Sequence, residues 1–222
     1  MDIDELKSRL YSVRERIARA SGTAREVTLV AATKTVPADT INAAVSLGVT
    51  NTGENRVQEF MAKRELVTGA EWHFIGTLQR NKAKYLVGKV KLIQSVSSLP
   101  LAEEIDRLAA RLGIVQDVLI EVNAADEPSK TGASMNGAEE LIEKAQRLGS
   151  IKVRGLMAIP PKCATDATYR KLRALYESQR MQDFDILSVG MSGDFERAIA
   201  FGSNMVRLGT AIFGDRNSHD KT

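Results

Sequence analysis

The sequence predicts one α/β domain that folds as a closed (β/α)8 barrel, a TIM barrel, with an extra helix at its N-terminus. Eight short apolar runs alternate with helix-like stretches, which is typical of a parallel sheet whose strands are joined by helices. The runs fit within about 190 residues, near the lower end of the size range of such barrels. Little sequence remains for a second domain. We therefore predict a single domain over residues 1–222, with the barrel at about 27–214 and a polar tail at 215–222. An open, doubly wound sheet is the alternative.

An amphipathic helix opens the chain, and strands and helices follow it in alternation. The helix is predicted over 2–20 because apolar residues recur there at helical spacing: Ile3, Leu6, Leu10, Val13 and Ile17. The predicted strands are 27–34, 49–55, 71–76, 91–96, 117–123, 152–159, 186–192 and 205–214. The predicted helices between them lie near 38–47, 56–66, 78–88, 99–112, 136–148, 168–182 and 194–202. The clearest is 99–112, where Ser98 suits an N-cap and Gly113 a terminator.

Composition and charge exclude several classes of protein. The formal charge of +3 is spread over mixed signs and aromatic residues are only 5%, so we expect no nucleic-acid partner. No apolar run approaches the ~18 residues that a membrane span needs, and the acidic N-terminus is unlike a signal peptide. The single cysteine, Cys163, excludes an intrachain disulfide, and no metal-ligand spacing is present. We expect a soluble, cytoplasmic monomer without metal or membrane contact.

Unusual polar residues fall at the carboxyl ends of the predicted strands. Lys34 ends the first apolar run, and a charged amine in an apolar setting is costly unless it has a role. If Lys34 faces the barrel interior, Val30 and Ala32 do so too, because strand side chains alternate. On the last strand Arg207 shares a face with Met205 and Gly209. Both charged residues then point to a ligand at the rim where such barrels hold their active sites.

Two small-residue turns complete this predicted site. The stretches "GMSGD" (190–194) and "LGTAIFG" (208–214) follow the last two strands, where barrels often bind phosphate through backbone N–H groups and hydroxyls. Tight turns without a ligand are the simpler interpretation of each stretch alone. A lysine amine, a phosphate cradle and an arginine together match the needs of pyridoxal 5′-phosphate, whose aldehyde forms a Schiff base with an amine.

Six stretches of the sequence also resemble a known family. They are "VAATKTVP", "GENRVQE", "EWHFIGTLQRNK", "DEPSKTG", "VRGLMAIPP" and "LSVGMSGDFERAIAFGSNMVRLGTAIFG". They are spread over nearly the whole chain in the family's order. On these residues the chain resembles the pyridoxal phosphate homeostasis proteins, the YggS/PROSC family, which are similar in fold to the barrel domain of bacterial alanine racemase.

The resemblance implies a cofactor, a binding site and a role. Lys34 would carry pyridoxal 5′-phosphate covalently as an internal aldimine. The residues implied around it are Asn55, His73, Ile75 and Met157 at the ring, Arg207 at the ring nitrogen, and Ser192, Gly193, Gly209 and Thr210 at the phosphate. The implied function is cofactor binding in intracellular vitamin B6 homeostasis without catalytic residues, with apo-enzymes as acceptors of the cofactor. Three residues depart from the family pattern: Thr33, Thr52 and Arg56.

Two enzyme activities remain as alternatives. An arginine at the ring nitrogen leaves that nitrogen neutral and weakens the ring as an electron sink. A racemase of the alanine racemase type would also need a second base, and we expect the four tyrosines to lie on helices away from the rim: Tyr11, Tyr85, Tyr169 and Tyr176. The second alternative is a phosphosugar-type barrel enzyme with an unmodified lysine. Lys130 is a rival for the reactive amine, although its polar loop favours a solvated or loop-shaping role. His73 is expected to line the core or the ring, and a general base is the less favoured interpretation.

Overall fold

Eight parallel strands close into a barrel in the computed structural model, which describes residues 2–22, 26–124, 131–180 and 183–214. The strands are β1 (Thr28–Ala32), β2 (Asn51–Glu54), β3 (Glu71–Phe74), β4 (Leu92–Val96), β5 (Gln116–Asn123), β6 (Ala133–Ser134), β7 (Ile151–Ala158), β8 (Ile186–Val189) and β9 (Met205–Leu208). Neighbours pair in the order β4-β3-β2-β1-β9-β8-β7-β5, and pairing of β4 with β5 closes the ring. The two-residue β6 is attached to the end of β5. The predicted closed barrel is confirmed, and the open sheet is wrong.

Helices connect the strands. They are α1 (Ile3–Ser21), α2 (Ala38–Ser46), α3 (Val57–Lys63), α4 (Leu99–Leu112), α5 (Met135–Gln146), α6 (Asp166–Ser178), α7 (Phe195–Ala200) and α8 (Thr210–Phe213). The helix predicted at 78–88 is instead a six-residue 3-10 helix, Arg80–Tyr85, whose N–H groups bond three residues back. The strand predicted at 205–214 is wrong beyond Leu208, because α8 folds back and buries Ile212 against α1. None of the described helices is both long enough and apolar enough to cross a membrane.

The interior of the barrel has its own small apolar core. Val30, Leu92, Leu119, Met157 and Met205 pack there, each from a different strand. Ala31, next to Val30, lies on the opposite face and packs with the helices. The alternation predicted for the first strand is therefore confirmed. The carboxyl end of β1 lies at the barrel mouth.

Helix α1 covers the outside of the barrel beside β1 and β9. It buries Leu6, Leu10, Val13 and Ile17, and it packs on α2, α7 and α8. Arg16 of α1 forms a double hydrogen bond with Glu196 of α7, at 3.0 and 2.7 Å. The helices that follow β8 and β9 are thus held in place by the start of the chain.

Candidate functional site

A tightly held turn carries Lys34 at the carboxyl end of β1. Thr33 is fully buried and its hydroxyl donates to Glu54 Oε1 at 2.8 Å. Thr35 adopts a left-handed conformation, with φ of 62°, which is uncommon for a residue with a branched side chain. Its N–H donates to Glu59 Oε2 at 2.7 Å, and this contact holds the turn in that conformation. Lys34 lies between these two anchored residues and is half-buried.

Lys63 of α3 is the second amine in this region, and it supports the turn. Its Nζ donates to Thr33 O at 2.9 Å, Glu54 Oε1 at 2.7 Å and Glu59 Oε2 at 3.2 Å. These three bonds use all three N–H groups of the ammonium. By contrast, Lys34 makes no side-chain hydrogen bond or ion pair with the part of the chain that the structure describes. Of these two amines, Lys34 is therefore the one that is available to a ligand.

Asn55 is held at the rim by a close approach of two backbone segments. A Cβ atom on Gly76 would lie 2.1 Å from the carbonyl oxygen of Asn55, so only glycine fits there. The preceding residue, Ile75, donates its N–H to Glu54 O at 2.9 Å and is buried against Gly53 inside the barrel. Asn55 thus follows β2, the neighbour of β1, and Ile75 follows β3, the next strand along the sheet.

The turns after β8 and β9 are joined to each other. The Ala211 N–H donates to Ser192 Oγ at 3.1 Å, which brings the two small-residue stretches together. In the described residues, four backbone N–H groups of these turns have no acceptor: those of Ser192, Gly193, Gly209 and Thr210. Gly193 is exposed, and the space where its Cβ would lie is open. The pair of turns can therefore donate several hydrogen bonds to an anion.

Arg207 lies inside the barrel mouth with a fixed guanidinium. Nη1 donates to the carbonyl and hydroxyl oxygens of Ser188, at 2.7 and 2.8 Å, and Nη2 donates to Ala158 O at 3.0 Å. Two of its five N–H groups are not used by these bonds. Burial lowers the pKa of Arg207 to about 10, while the carboxylates of Asp194 and Glu121 act in the opposite direction. Arg207 is hence a cation at neutral pH, with two donors left for a ligand.

Met157 and His73 lie deeper than the other predicted residues. Met157 is fully buried in the interior core. His73 Nε2 lies 3.1 Å from Asn51 Oδ1, and its Nδ1 lies 3.0 Å from Gln94 Nε2. The imidazole lines a cavity of about 420 Å³ at the amino-terminal end of the barrel, and burial lowers its pKa to about 4. The structure brings Lys34, Asn55, Arg207 and the two turns to the rim, and His73 lies below them.

Sequence reasoning missed a buried carboxyl group near the mouth. Glu121 of β5 is 5% exposed; its Oε1 accepts a hydrogen bond from the Thr131 hydroxyl at 2.7 Å. Its Oε2 has no partner among the described residues, and burial raises the pKa of this carboxyl group. The signal was a single acid inside the apolar run "VLIEV". Glu54, which ends β2, was missed as well; it is fully buried, and burial raises its pKa.

One expectation about the tyrosines needs correction. The Tyr169 hydroxyl on α6 reaches the turn after β8, where it donates to Asp194 Oδ2 at 2.7 Å. Burial and the Asp194 carboxylate raise the pKa of Tyr169. This tyrosine is therefore a hydrogen-bond donor behind the turn and a poor base. Lys130 and His219 lie outside the described residues. Within those ranges, no group of three or more His, Cys, Asp or Glu side chains could hold a metal ion.

Comparisons with known proteins define the class of this barrel. The family model "Alanine racemase, N-terminal domain" matches residues 2–217. An alanine racemase from Clostridium difficile 630 has the same fold, with a TM-score of 0.77 and 16% identity, over 98% of this chain and 58% of that protein. The fold and its rim site therefore define a barrel of the alanine racemase N-terminal domain class.

Relatives of similar length narrow this class to one family. The pyridoxal phosphate homeostasis protein of Aquifex aeolicus (strain VF5) is 44% identical over 96% of each chain, and that of Escherichia coli (strain K12) is 38% identical over 99% and 100%. PipY of Synechococcus elongatus PCC7942, solved with PLP bound, has a TM-score of 0.82 and 32% identity over 94% of this chain and all of that one. The chain belongs to the family of pyridoxal phosphate homeostasis proteins, and the resemblance drawn from sequence is confirmed.

Proposed function

We propose that this protein binds pyridoxal 5′-phosphate covalently through Lys34 and serves intracellular vitamin B6 homeostasis as a carrier without catalysis of its own. One observation carries the proposal: among the described residues, an amine without a partner lies at the same rim as two turns with backbone N–H groups that have no acceptor. The PLP-bound structure of PipY, a relative over nearly the whole chain, supports the same cofactor here.

Each rim residue has a chemical task in this proposal. Lys34 would hold the cofactor by condensation of its amine with the aldehyde, with loss of water. The N–H groups of Gly193, Gly209 and Thr210, together with the Ser192 turn, bind the phosphate. The cofactor itself would supply an electrophilic ring and imine.

Residues on the strands or just after them form the wall of the pocket. Ile75 supplies a buried apolar surface beside Asn55, and Met157 is fully buried in the core below the mouth. His73, which was also predicted at the ring, lies deeper, at the cavity of the amino-terminal end. The unused donors of Arg207 face the ring nitrogen and leave that nitrogen without a proton, since a guanidinium cannot accept one.

Two features argue against catalysis: Arg207 leaves the ring nitrogen neutral, and the described residues of the rim offer no second base. A neutral ring nitrogen stabilises a carbanion poorly, so proton removal from an amino acid gains little. Tyr169 cannot take the proton readily, because its hydroxyl is committed to Asp194 and its pKa is raised. We propose that the cofactor is passed on to apo-enzymes. A free amine would replace the Lys34 amine in the Schiff base and so release the cofactor from the rim.

The first experiment identifies the reactive amine. The purified protein is titrated with PLP, followed by visible absorbance, reduced with borohydride and mapped by mass spectrometry. We expect the modification on Lys34, and loss of the visible band in Lys34→Ala with an unchanged circular dichroism spectrum. Lys144→Ala, an exposed lysine paired with Glu140, is the matched control and should keep the band. Modification of Lys130 in place of Lys34 would refute the assignment.

The second experiment separates a carrier from a racemase. The loaded protein is incubated with L-amino acids in deuterated water, and with an apo-enzyme that requires PLP. We expect no Cα–H exchange, and activity of the added enzyme should appear. Exchange or D-isomer formation faster than about one turnover per second, the low end of ordinary enzymes, would favour the racemase.

A further inference from the structure

A chain of hydrogen-bonded side chains crosses the barrel interior from the rim to the amino-terminal end. Arg207 Nη1 lies 2.8 Å from Ser188 Oγ, and Ser188 Oγ lies 2.7 Å from Gln94 Oε1. Gln94 Nε2 lies 3.0 Å from His73 Nδ1, and His73 Nε2 lies 3.1 Å from Asn51 Oδ1. The chain therefore links the guanidinium at the mouth to a histidine that lines the opposite cavity.

Arg207 and Met205 together set the direction of the bonds in this chain. A guanidinium has donors only, so Ser188 Oγ accepts from Arg207 and its one hydrogen can be donated to Gln94 Oε1. Gln94 Nε2 also lies 3.3 Å from Met205 Sδ, an acceptor, so the NH2 group of Gln94 faces Met205 Sδ and His73 Nδ1. That nitrogen is the acceptor, so the imidazole proton lies on Nε2 and is donated to Asn51 Oδ1.

Burial makes this arrangement the favoured one. Ser188 and Gln94 are fully buried, and His73 and Arg207 are 2% and 4% exposed. Water cannot replace a lost partner of the fully buried Gln94, and a rotated amide would turn its oxygen, in place of its NH2 group, towards Met205 Sδ and His73 Nδ1. With the NH2 group towards Nδ1, the other imidazole tautomer would place two donors face to face. The low pKa of His73, about 4, agrees with a neutral imidazole held in one tautomer.

We propose that Gln94 is a positioning residue of the rim site: it orients the Ser188 hydroxyl, which in turn holds the Arg207 guanidinium with its two unused donors towards the ligand. His73 then acts on the site through Gln94 and not by touching the cofactor. The role of Arg207 towards the ring rests on the proposed function, whereas the direction of the chain is a property of the ligand-free protein.

The chain is tested without cofactor by nitrogen NMR of His73. In the wild type we expect a neutral imidazole with its proton on Nε2 down to about pH 5, since the pKa of His73 is about 4. Gln94→Glu replaces the NH2 donor with an acceptor, so Nδ1 must take a proton, and the His73 pKa should rise by about two units or more. Gln116→Glu is the control, because Gln116 is also buried but bonds to backbone groups outside this chain. A wild-type proton on Nδ1 would refute the proposal even if both variants failed to fold.

The positioning role is tested by PLP affinity and by the absorbance spectrum of the bound cofactor. Gln94→Glu keeps an acceptor for Ser188, whereas Gln94→Met removes it. We expect affinity near the wild-type value for Gln94→Glu, and about tenfold weaker affinity with a shifted visible band for Gln94→Met. Equal affinity and equal spectra for Gln94→Met and wild type would overturn the positioning role. If the wild type bound no PLP, the proposed function would be wrong. The NMR result would still show whether the hydrogen bonds run in the proposed direction.

Discussion

Acid should destabilise this fold through one buried histidine. His73 is 2% exposed, and burial lowers its pKa from 6.5 to about 4, with the nearby Lys91 charge acting in the same direction. The unfolded chain therefore binds a proton at a pH where the native protein does not. Between about pH 6.5 and pH 4, each pH unit removes about 1.4 kcal/mol from the free energy of unfolding, about 3 kcal/mol in total. This stability is fully present above pH 6.5.

The loss is large beside the roughly 5–15 kcal/mol that stabilises an ordinary domain. Two buried acids act against His73. The pKa values of Glu54 and Glu121 are raised in the native state, so these groups take up protons more readily in the folded protein than in the unfolded chain, and acid stabilises the fold through them. The measurement is therefore a difference between wild type and His73→Gln, from urea unfolding at several pH values. Removal of His73 should abolish about 3 kcal/mol of the loss between pH 6.5 and pH 4.

The other histidine of the chain provides the control. His219→Gln should lose as much stability in acid as the wild type does. If wild type and His73→Gln lose equal free energy over this range, the imidazole is not held neutral, and the reasoning from burial is wrong.

Three further predictions follow from single contacts. Gly76→Ala should cost about 1–3 kcal/mol of stability in thermal unfolding and weaken PLP binding, because the new Cβ would overlap Asn55 O. Gly149→Ala is the control: the space around its Cβ is open, so its stability should stay within about 0.5 kcal/mol of the wild type. Glu121→Gln should stabilise the protein at pH 8 and leave its stability almost unchanged at pH 4, since burial penalises only the charged carboxylate; an equal gain at both pH values would contradict this. Pyridoxal should bind at least about tenfold more weakly than PLP in equilibrium dialysis, and similar dissociation constants would argue against the phosphate turns.

The closed barrel could be predicted because one signal is repeated eight times along the chain. The sequence-based prediction fails where tertiary contacts override the local pattern. Residues 210–213 are apolar like the strand before them, yet they form a helix because Ile212 packs under α1. The pair Ala133–Ser134 becomes a strand only because the end of β5 is beside it.

Alternation along a strand predicts the face of a residue but not its depth. Arg207 was assigned correctly to the interior side, where it bonds to Ser188 and Ala158. The interior orientation of Lys34 stays a prediction. His73 lies on the same face as Ile75 but two residues earlier, about 6–7 Å deeper in the barrel. The support of the Lys34 turn by Lys63 could not be predicted either, because it depends on how α3 packs against the ends of β1 and β2.

Helix α1 has a consequence for the synthesis of this protein. Its contact from Arg16 to Glu196 spans 180 residues, so this helix is synthesised well before α7. At about 5–20 residues per second, the side of α1 that packs on α7 is without that partner for about 10–40 s. Both turns that are proposed to bind the phosphate lie in the same portion of the chain as α7. A nascent chain therefore presents Lys34 long before it can retain PLP, and capture of the cofactor must follow closure of the barrel.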